Sequence, residues 1–181
     1  MRFLSDDETR RLLAACRASI WPRLYALVLA ALTTGARKGE LLGLHWADVD
    51  LDQARAYVGR TKNGEPRVLP LVPGLVDELR KFAGAPAAWV FAAPRNAEKV
   101  FTFEPRWHEA LRVAKVRAFV FHDLRHSCAS LLAKNGATLL EIADVLGHKQ
   151  LQMTKRYSHL ATSHKAALVN RVMGNLDATG G

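Results

Sequence analysis

His122 and Arg125 are the two residues whose types and spacing most directly suggest chemistry in this chain. They lie three residues apart at the start of a predicted helix, so both side chains can lie on one helical face. Arginine offers a planar set of donors, and histidine can donate or accept a proton. The pair therefore predicts an anion site. The alternative is a solvated helix start, and other residues must decide between the two.

Four further residues could take part in the same chemistry. Arg37 follows a predicted helix end at Gly35, where a rigid scaffold would hold its guanidinium; the alternative is a surface arginine paired with a nearby glutamate. Lys62 lies in a predicted hairpin, where most lysines are simply solvated. His148 follows a predicted helix-ending glycine, and Tyr157 stands among basic residues. The other two tyrosines fall inside an apolar helix and a strand.

Helix start and stop signals predict the elements that must position these residues. Ser5 with Glu8, and Thr138 with Glu141, form capping boxes, while Gly35 and Gly147 end the helices before them. Apolar residues recur at helical spacing between such signals. The predicted helices cover about residues 5–17, 22–34, 73–82, 102–115, 122–135 and 138–147, with an amphipathic tail helix over 163–173.

The remaining regular structure is predicted to be a small sheet. Residues 54–59 and 66–71 are typical of short strands, and the Asn63-Gly64 pair between them is a strong hairpin signal. Trp89-Val90-Phe91 is predicted to form a third strand. We therefore expect a mainly α fold of the α+β type, with a three-stranded antiparallel sheet, forming one domain over 1–181.

Charge and composition limit the function. The chain has 181 residues, 49% hydrophobic and 24% charged, and no apolar run approaches the ~20 residues that cross a bilayer. Its net charge of +9 is +1 over residues 1–50, +3 over 51–100 and +5 over 101–181. Such an excess favours a polyanion partner, with simple solubility as the alternative. Cys16 and Cys128 are expected to be core thiols of an intracellular protein.

Taken in order, these motifs resemble the tyrosine recombinase (phage integrase) family. The resemblance runs through Thr34-Gly35-Ala36-Arg37 with Glu40, the hairpin lysine, His122-Asp123-Leu124-Arg125-His126, Leu146-Gly147-His148 and Thr154-Lys155-Arg156-Tyr157. A larger apolar residue is usual where Ala36 stands. The catalytic residues that the resemblance implies are Arg37, Lys62, His122, Arg125, His148 and Tyr157.

The resemblance also implies a reaction. DNA would be cut and rejoined through a covalent 3′-phosphotyrosyl intermediate on Tyr157, with Arg37 and Arg125 stabilising the phosphate charge. His122 would accept the nucleophile's proton, His148 would bind a phosphate oxygen, and Lys62 would protonate the departing 5′ oxygen. The ester conserves the bond energy, so neither a metal nor another cofactor is expected. The core-binding and arm-binding domains that usually precede this one are expected to be absent.

Other functions remain open at this point. His122 and His126 have a spacing that can hold zinc, but the sequence offers no obvious third ligand. A relaxing enzyme of the type IB topoisomerase kind is a close catalytic alternative. A DNA-binding remnant without turnover, acting as a repressor or accessory factor, is the alternative from another class.

The expected partner is double-stranded DNA. The resemblance implies a homotetramer on DNA, formed when the tail over 162–181 docks on a neighbouring protomer, and a monomer in solution. The alternative is a tail helix that packs on its own core. We expect a cytoplasmic protein that acts on the nucleoid and has no membrane partner.

Overall fold

The computed structural model describes residues 2–59, 66–148 and 150–160, together with 169, 170 and 173. Over these residues the fold is mainly helical with small antiparallel sheets, which confirms the predicted class. The chain forms two compact units, Met1–Cys128 and Ala129–Gly181. No helix in the described part is long and apolar enough to cross a membrane.

About half of the described residues lie in short helices whose ends follow the predicted signals. Proline lies in the first turn of both α4 and α5. It suits these positions because the first amide groups of a helix have no hydrogen-bond partner within the helix, so the missing amide proton of proline costs no bond. The helices are α1 (Asp6–Arg17), α2 (Arg23–Thr34), α3 (Lys38–Leu42), α4 (Pro73–Arg80), α5 (Glu104–Val113), α6 (Asp123–Lys134) and α7 (Leu139–Leu146), followed by 3₁₀ turns at Leu151–Met153 and Lys155–Leu160.

The predicted caps are confirmed at atomic detail. The Ser5 hydroxyl accepts the Glu8 amide proton at 3.1 Å, and the Glu8 carboxylate accepts that of Ser5 at 3.0 Å. Thr138 and Glu141 repeat this exchange before α7. Gly35 ends α2 with φ 62°, a left-handed conformation that glycine adopts without steric penalty. These local interactions fix where the helices stop, and hence where the residues after them stand.

The main sheet has the order β1-β2-β3, antiparallel throughout, with strands Val49–Asp50, Arg55–Val58 and Arg67–Pro70. The predicted hairpin partners are confirmed, but the predicted third strand is wrong. Trp89 makes an isolated bridge with His45, and the Val90 amide donates to the Leu44 carbonyl. The apolar character of that segment reflects burial of Val90 and Phe91 rather than strand pairing.

A second, two-stranded sheet was not predicted. β4 (Ala92–Ala93) pairs antiparallel with β5 (Asn96–Val100) across the turn at Pro94-Arg95. β5 is exposed along almost its whole length, so its residues show no alternation of apolar and polar types.

The core of the first unit is built around α2, which buries eight of its twelve residues. Trp21, just before it, is fully buried and lies 4.5 Å from Phe101 between ring centroids. Cys16 and Cys128 are buried free thiols, as predicted. A scaffold of this rigidity can hold charged side chains that would otherwise be mobile.

Candidate active site

Arg125 is a buried arginine tied to the end of α2. It is 4% exposed, and its Nη1 donates to the Gly35 carbonyl at 2.6 Å. The acceptor belongs to the left-handed residue that ends α2, so its carbonyl points away from the helix ladder. Arg37 follows two residues later. A backbone turn thus connects the two arginines that the sequence predicted to act together.

The turn itself is braced by Thr34. Its hydroxyl donates to the Ala30 carbonyl at 2.6 Å and accepts the Ala36 amide proton at 3.2 Å. Thr34 and Ala36 are both buried, and Ala36 is only 3% exposed. The small side chain of Ala36 fits this buried position. The Thr-Gly-Ala-Arg sequence therefore encodes a fixed bend, held by a helix cap and a side-chain bridge.

Arg37 is held by Glu40 from both its backbone and its side chain. The Arg37 amide donates to Glu40 Oε2 at 2.8 Å, and Arg37 Nη1 donates to Glu40 Oε1 at 2.9 Å. The arginine side chain is 37% exposed while that of Glu40 is 4% exposed. The ion pair that the sequence suggested as an alternative role is therefore present, and it fixes the direction of a guanidinium that still faces solvent.

Arg67, which sequence reasoning missed, is a second arginine on Glu40. It begins β3, and its Nη2 donates to Glu40 Oε2 at 2.8 Å. Burial alone raises the pKa of the Glu40 carboxyl, but the hydrogen bonds from Arg37 and Arg67 outweigh it, and the net pKa lies below its ordinary value. Glu40 is therefore a carboxylate at neutral pH.

Arg67 and Arg125 act on the same part of the interior. Burial raises the pKa of the Cys128 thiol to about 11, and the charges of Arg125 and Arg67 both oppose that rise. Two guanidinium groups thus lie close enough to the thiol to affect it. In the first unit, Arg37 and Arg67 therefore contact the buried Glu40 carboxylate, and Arg125 is bonded to the backbone two residues before Arg37.

His122 immediately precedes α6 rather than lying inside it, and its side chain is exposed. Its carbonyl accepts the Arg125 amide proton at 3.1 Å, so the two predicted residues share one turn. The His122 and His126 rings meet edge to face, with centroids 5.1 Å apart. Within the described ranges, no group of three histidine, cysteine or acidic side chains is arranged to hold a metal ion.

In the second unit, Thr154 connects the predicted His148 and Tyr157. His148 Nδ1 lies 2.8 Å from the Thr154 hydroxyl, and the Thr154 carbonyl accepts the Tyr157 amide proton at 2.9 Å. Thr154 is fully buried, and Tyr157 is 1% exposed. The contact between Nδ1 and the Thr154 hydroxyl fixes the orientation of the His148 ring.

The backbone before His148 repeats the arrangement seen before Arg37. Gly147 ends α7 with φ 64°, and the His148 amide donates to the Ala143 carbonyl at 2.9 Å. In each unit, then, a left-handed glycine precedes a side chain that the sequence predicted to be functional. Lys62 and most of the predicted tail helix lie outside the described residues.

The groups found in each unit suit steps of phosphoryl transfer. In the first unit, guanidinium groups can stabilise negative charge on phosphate oxygens; in the second unit, an imidazole can donate a hydrogen bond and a phenol can act as a nucleophile.

The chain belongs to the Phage integrase family, whose sequence model matches residues 2–164. The integrase of Salmonella phage P22 is 28% identical over 178 residues, covering 91% of this chain and 45% of that protein. The fimbrial regulatory protein FimE of Escherichia coli K12 is 31% identical, covering 94% of this chain and 91% of that protein. The chain thus spans about half the length of the phage protein and nearly all of FimE.

A solved structure gives the same result for the fold. The catalytic domain of bacteriophage HP1 integrase matches with a TM-score of 0.73 and 28% identity, covering 94% of each chain. The fold is therefore that of the family's catalytic domain, as the sequence predicted. The roles of individual residues stay predictions and are argued below.

Proposed function

We propose that this chain cleaves and rejoins duplex DNA through a covalent 3′-phosphotyrosyl intermediate, as a site-specific recombinase. The observation that carries the proposal is the bond from the buried Arg125 to the Gly35 carbonyl, two residues before Arg37. This bond fixes the Arg125 side chain before any substrate is present, and a guanidinium that is already oriented is well suited to bind a phosphate oxygen.

The arginines would stabilise the transition state. A phosphodiester carries one negative charge, which repels nucleophiles, and more charge gathers on its nonbridging oxygens as the attacking bond forms. Arg37 and Arg125 would donate to these oxygens from positions already fixed in the free protein. His148 would donate a hydrogen bond to the same group. Preorganised donors of this kind typically contribute 10²–10³-fold each.

Tyr157 would be the nucleophile. Its phenolate oxygen bonds to phosphorus while the bond to the 5′ oxygen breaks, and the exposed His122 imidazole takes the phenol proton. Lys62 would give a proton to the departing 5′ oxygen. Rejoining is the reverse, with a 5′ hydroxyl attacking the ester. The residues alone carry the reaction, so the proposal assigns no cofactor.

Reaching a phosphate requires the nucleophile to move. A side chain that is 1% exposed cannot contact the backbone of a DNA duplex. The segment Lys155–Leu160 is a 3₁₀ helix, whose hydrogen bonds are poorer than those of an α-helix and easier to rearrange. We propose that DNA binding turns this segment so that the phenol faces the phosphate.

Strand exchange would take place in an assembly. The proposed state on DNA is a homotetramer in the cytoplasm, linked by docking of the 162–181 tail on a neighbouring protomer. Val169 and Met173, four apart in the tail, are helical and more than half exposed, as an unburied apolar face would be.

Removal of residues 162–181 should leave covalent cleavage of a single site measurable and abolish recombination between two sites. Equal recombination by the shortened chain would contradict the tail's role.

Covalent trapping tests the central claim. A pool of nicked duplex fragments from genomic DNA is incubated with the protein in EDTA, and DNA that stays with protein in detergent is sequenced. Wild type should give adducts at a defined site, and Tyr157→Phe should give none. Tyr25→Phe is the matched control, because Tyr25 lies in α2 under the Arg17 guanidinium and should trap DNA normally.

The outcomes separate the alternatives. Specific binding without adducts would identify a DNA-binding protein without turnover. Adducts with relaxation of a single supercoiled plasmid, and no exchange between two sites, would identify a relaxing enzyme.

A further inference from the structure

We infer that Arg67 is a positioning residue of the phosphate site, acting through Glu40 to keep the Arg37 guanidinium oriented while leaving the site positively charged. Neither its place in the sequence nor the predicted reaction assigns it a role. The inference rests on the proposed function, since it names a further residue of the same site.

The contacts on Glu40 divide between its two oxygens. Oε1 accepts from Arg37 Nη1, while Oε2 accepts from both the Arg37 amide and Arg67 Nη2. Arg67 therefore holds the carboxylate oxygen that the Arg37 guanidinium does not contact. If that contact were lost, the carboxylate could turn towards Arg37 alone, and the guanidinium would lose its fixed direction.

Charge provides the second reason. Glu40 and Arg37 by themselves form a neutral pair, and a neutral pair attracts a phosphate weakly. With Arg67 the three groups carry +1, and with Arg125 the four carry +2. Because Glu40, Arg67 and Arg125 are largely buried, the effect of this charge difference is stronger than it would be in water. The side chain of Arg67 is only 15% exposed, against 37% for Arg37. Arg37 is therefore the arginine that contacts solvent, and Arg67 contributes its charge from a more buried position.

Stability alone does not explain why an ion pair of Arg67 and Glu40 stands at this position. Bringing Arg67 and Glu40 together inside the protein removes both from water, and an apolar pair of similar size is commonly as stable. The strand pattern points the same way, because β3 turns Arg67 towards the interior and leaves Val68 52% exposed. An apolar side chain on the outside and an arginine on the inside reverse the usual order for a strand.

The test compares a charged and a neutral scissile phosphate. The site found by covalent trapping is synthesised as a nicked duplex with either an ordinary phosphate or a methylphosphonate, in which a methyl group replaces one nonbridging oxygen. Arg67→Met removes the charge and keeps much of the length; Arg67→Lys keeps the charge. Cleavage rates are measured below the unfolding temperature of every variant.

Arg67→Met should slow cleavage of the ordinary phosphate by about 10–100-fold, the size of effect known for partners that orient metal-binding side chains. On the methylphosphonate its loss should fall below about threefold, because the reaction there gathers less negative charge. Arg67→Lys should stay close to wild type on both substrates. Equal losses on the two substrates, or no loss on either, would overturn the inference.

A second variant guards against misfolding. Arg67→Met combined with Glu40→Gln removes the buried carboxylate together with its partner, so the double variant should fold. Because the carboxylate that orients Arg37 is gone, the double variant should cleave the ordinary phosphate no faster than Arg67→Met alone. A double variant that cleaves at the wild-type rate would also overturn the inference.

A measurement without DNA separates this inference from the proposed function. Carboxyl-carbon NMR follows the titration of Glu40, and its pKa should rise in Arg67→Met because one of the contacts that lower it is gone. An unchanged pKa overturns the role of Arg67 even if wild type traps DNA. A raised pKa with no trapping by wild type means that the proposed function has failed, and the inference falls with it.

Discussion

Replacement of Gly35 by alanine tests whether the end of α2 sets both stability and catalysis. Gly35 has φ 62° and ψ 15°, and its carbonyl accepts from Arg125. A side chain at a left-handed position costs roughly 1–2 kcal/mol. For a domain of this size, that lowers the thermal midpoint by about 2–8 °C. Relaxation of the strain would also shift the carbonyl that holds Arg125.

Two matched variants give this prediction its controls. Gly39 lies in α3 with a negative φ and nothing within 4 Å of an added Cβ, so Gly39→Ala should raise stability by about 0.5–1 kcal/mol. Gly35→Asn should lose less than Gly35→Ala, because asparagine tolerates the left-handed region better than other residues with side chains. The three variants therefore differ in sign and size for one physical reason.

Thermal and urea unfolding measure the stability terms, and covalent trapping measures the site. At a temperature where every variant is folded, Gly35→Ala should lose at least tenfold in cleavage rate, since a hydrogen bond to a charged group is worth about 1.5–3 kcal/mol. Gly35→Ala as stable as wild type would refute the strain, and full cleavage by a destabilised variant would refute the link to Arg125.

Four further predictions concern single residues. Thr154→Val should slow cleavage about 10–100-fold and change its pH profile, because His148 loses the partner of Nδ1, whereas Thr154→Ser should restore both. The Arg2 side chain and the Ser5 amide lower the pKa of Glu8 to about 2, so its contribution to stability is complete above about pH 5 and disappears as the pH falls towards 2; urea unfolding of Glu8→Gln should show a loss of about 1 kcal/mol at pH 7 and a smaller one at pH 2, and equal losses would exclude the linkage. The Cys128 thiol, with its pKa raised to about 11, should resist alkylation at pH 8 until urea unfolds the chain, and rapid labelling of native protein would show that the site is open. Lys62→Ala should lose about 10²–10⁴-fold on ordinary DNA and recover when sulfur replaces the bridging 5′ oxygen, since a thiolate leaves without a proton; an equal defect on both substrates would exclude the role as acid.

The features that sequence predicted well are those decided within a few residues. The capping boxes at Ser5 and Thr138, and the glycine ends at Gly35 and Gly147, depend on contacts within one helical turn, so their residue types suffice. The fold class followed from the same signals and from helical periodicity. The family resemblance then supplied the candidate catalytic residues, which no local pattern could have assigned alone.

The features that sequence missed depend on partners distant in the chain. β1 has only two residues, and its pairing with β2 is decided by the approach of two segments rather than by propensity. Arg67 reaches a carboxylate 27 residues away, though the inward position of an arginine beside the buried Leu69 was a usable signal. Thr154 was seen only as part of a motif, because its contact with His148 appears only when the 3₁₀ turns are in place.

The glycine ends of α2 and α7 also determine where the chain can change in length. One residue added inside an α-helix rotates everything beyond it by about 100° and moves it by about 1.5 Å. An insertion within α7 would therefore swing His148 to another side of its unit, and one within α2 would do the same to Arg37. The exposed turn at Pro94-Arg95 carries no such constraint, since extra residues there only lengthen a hairpin. Peptide tags and fluorescent reporters placed in that turn should leave the directions of Arg37 and His148 unchanged.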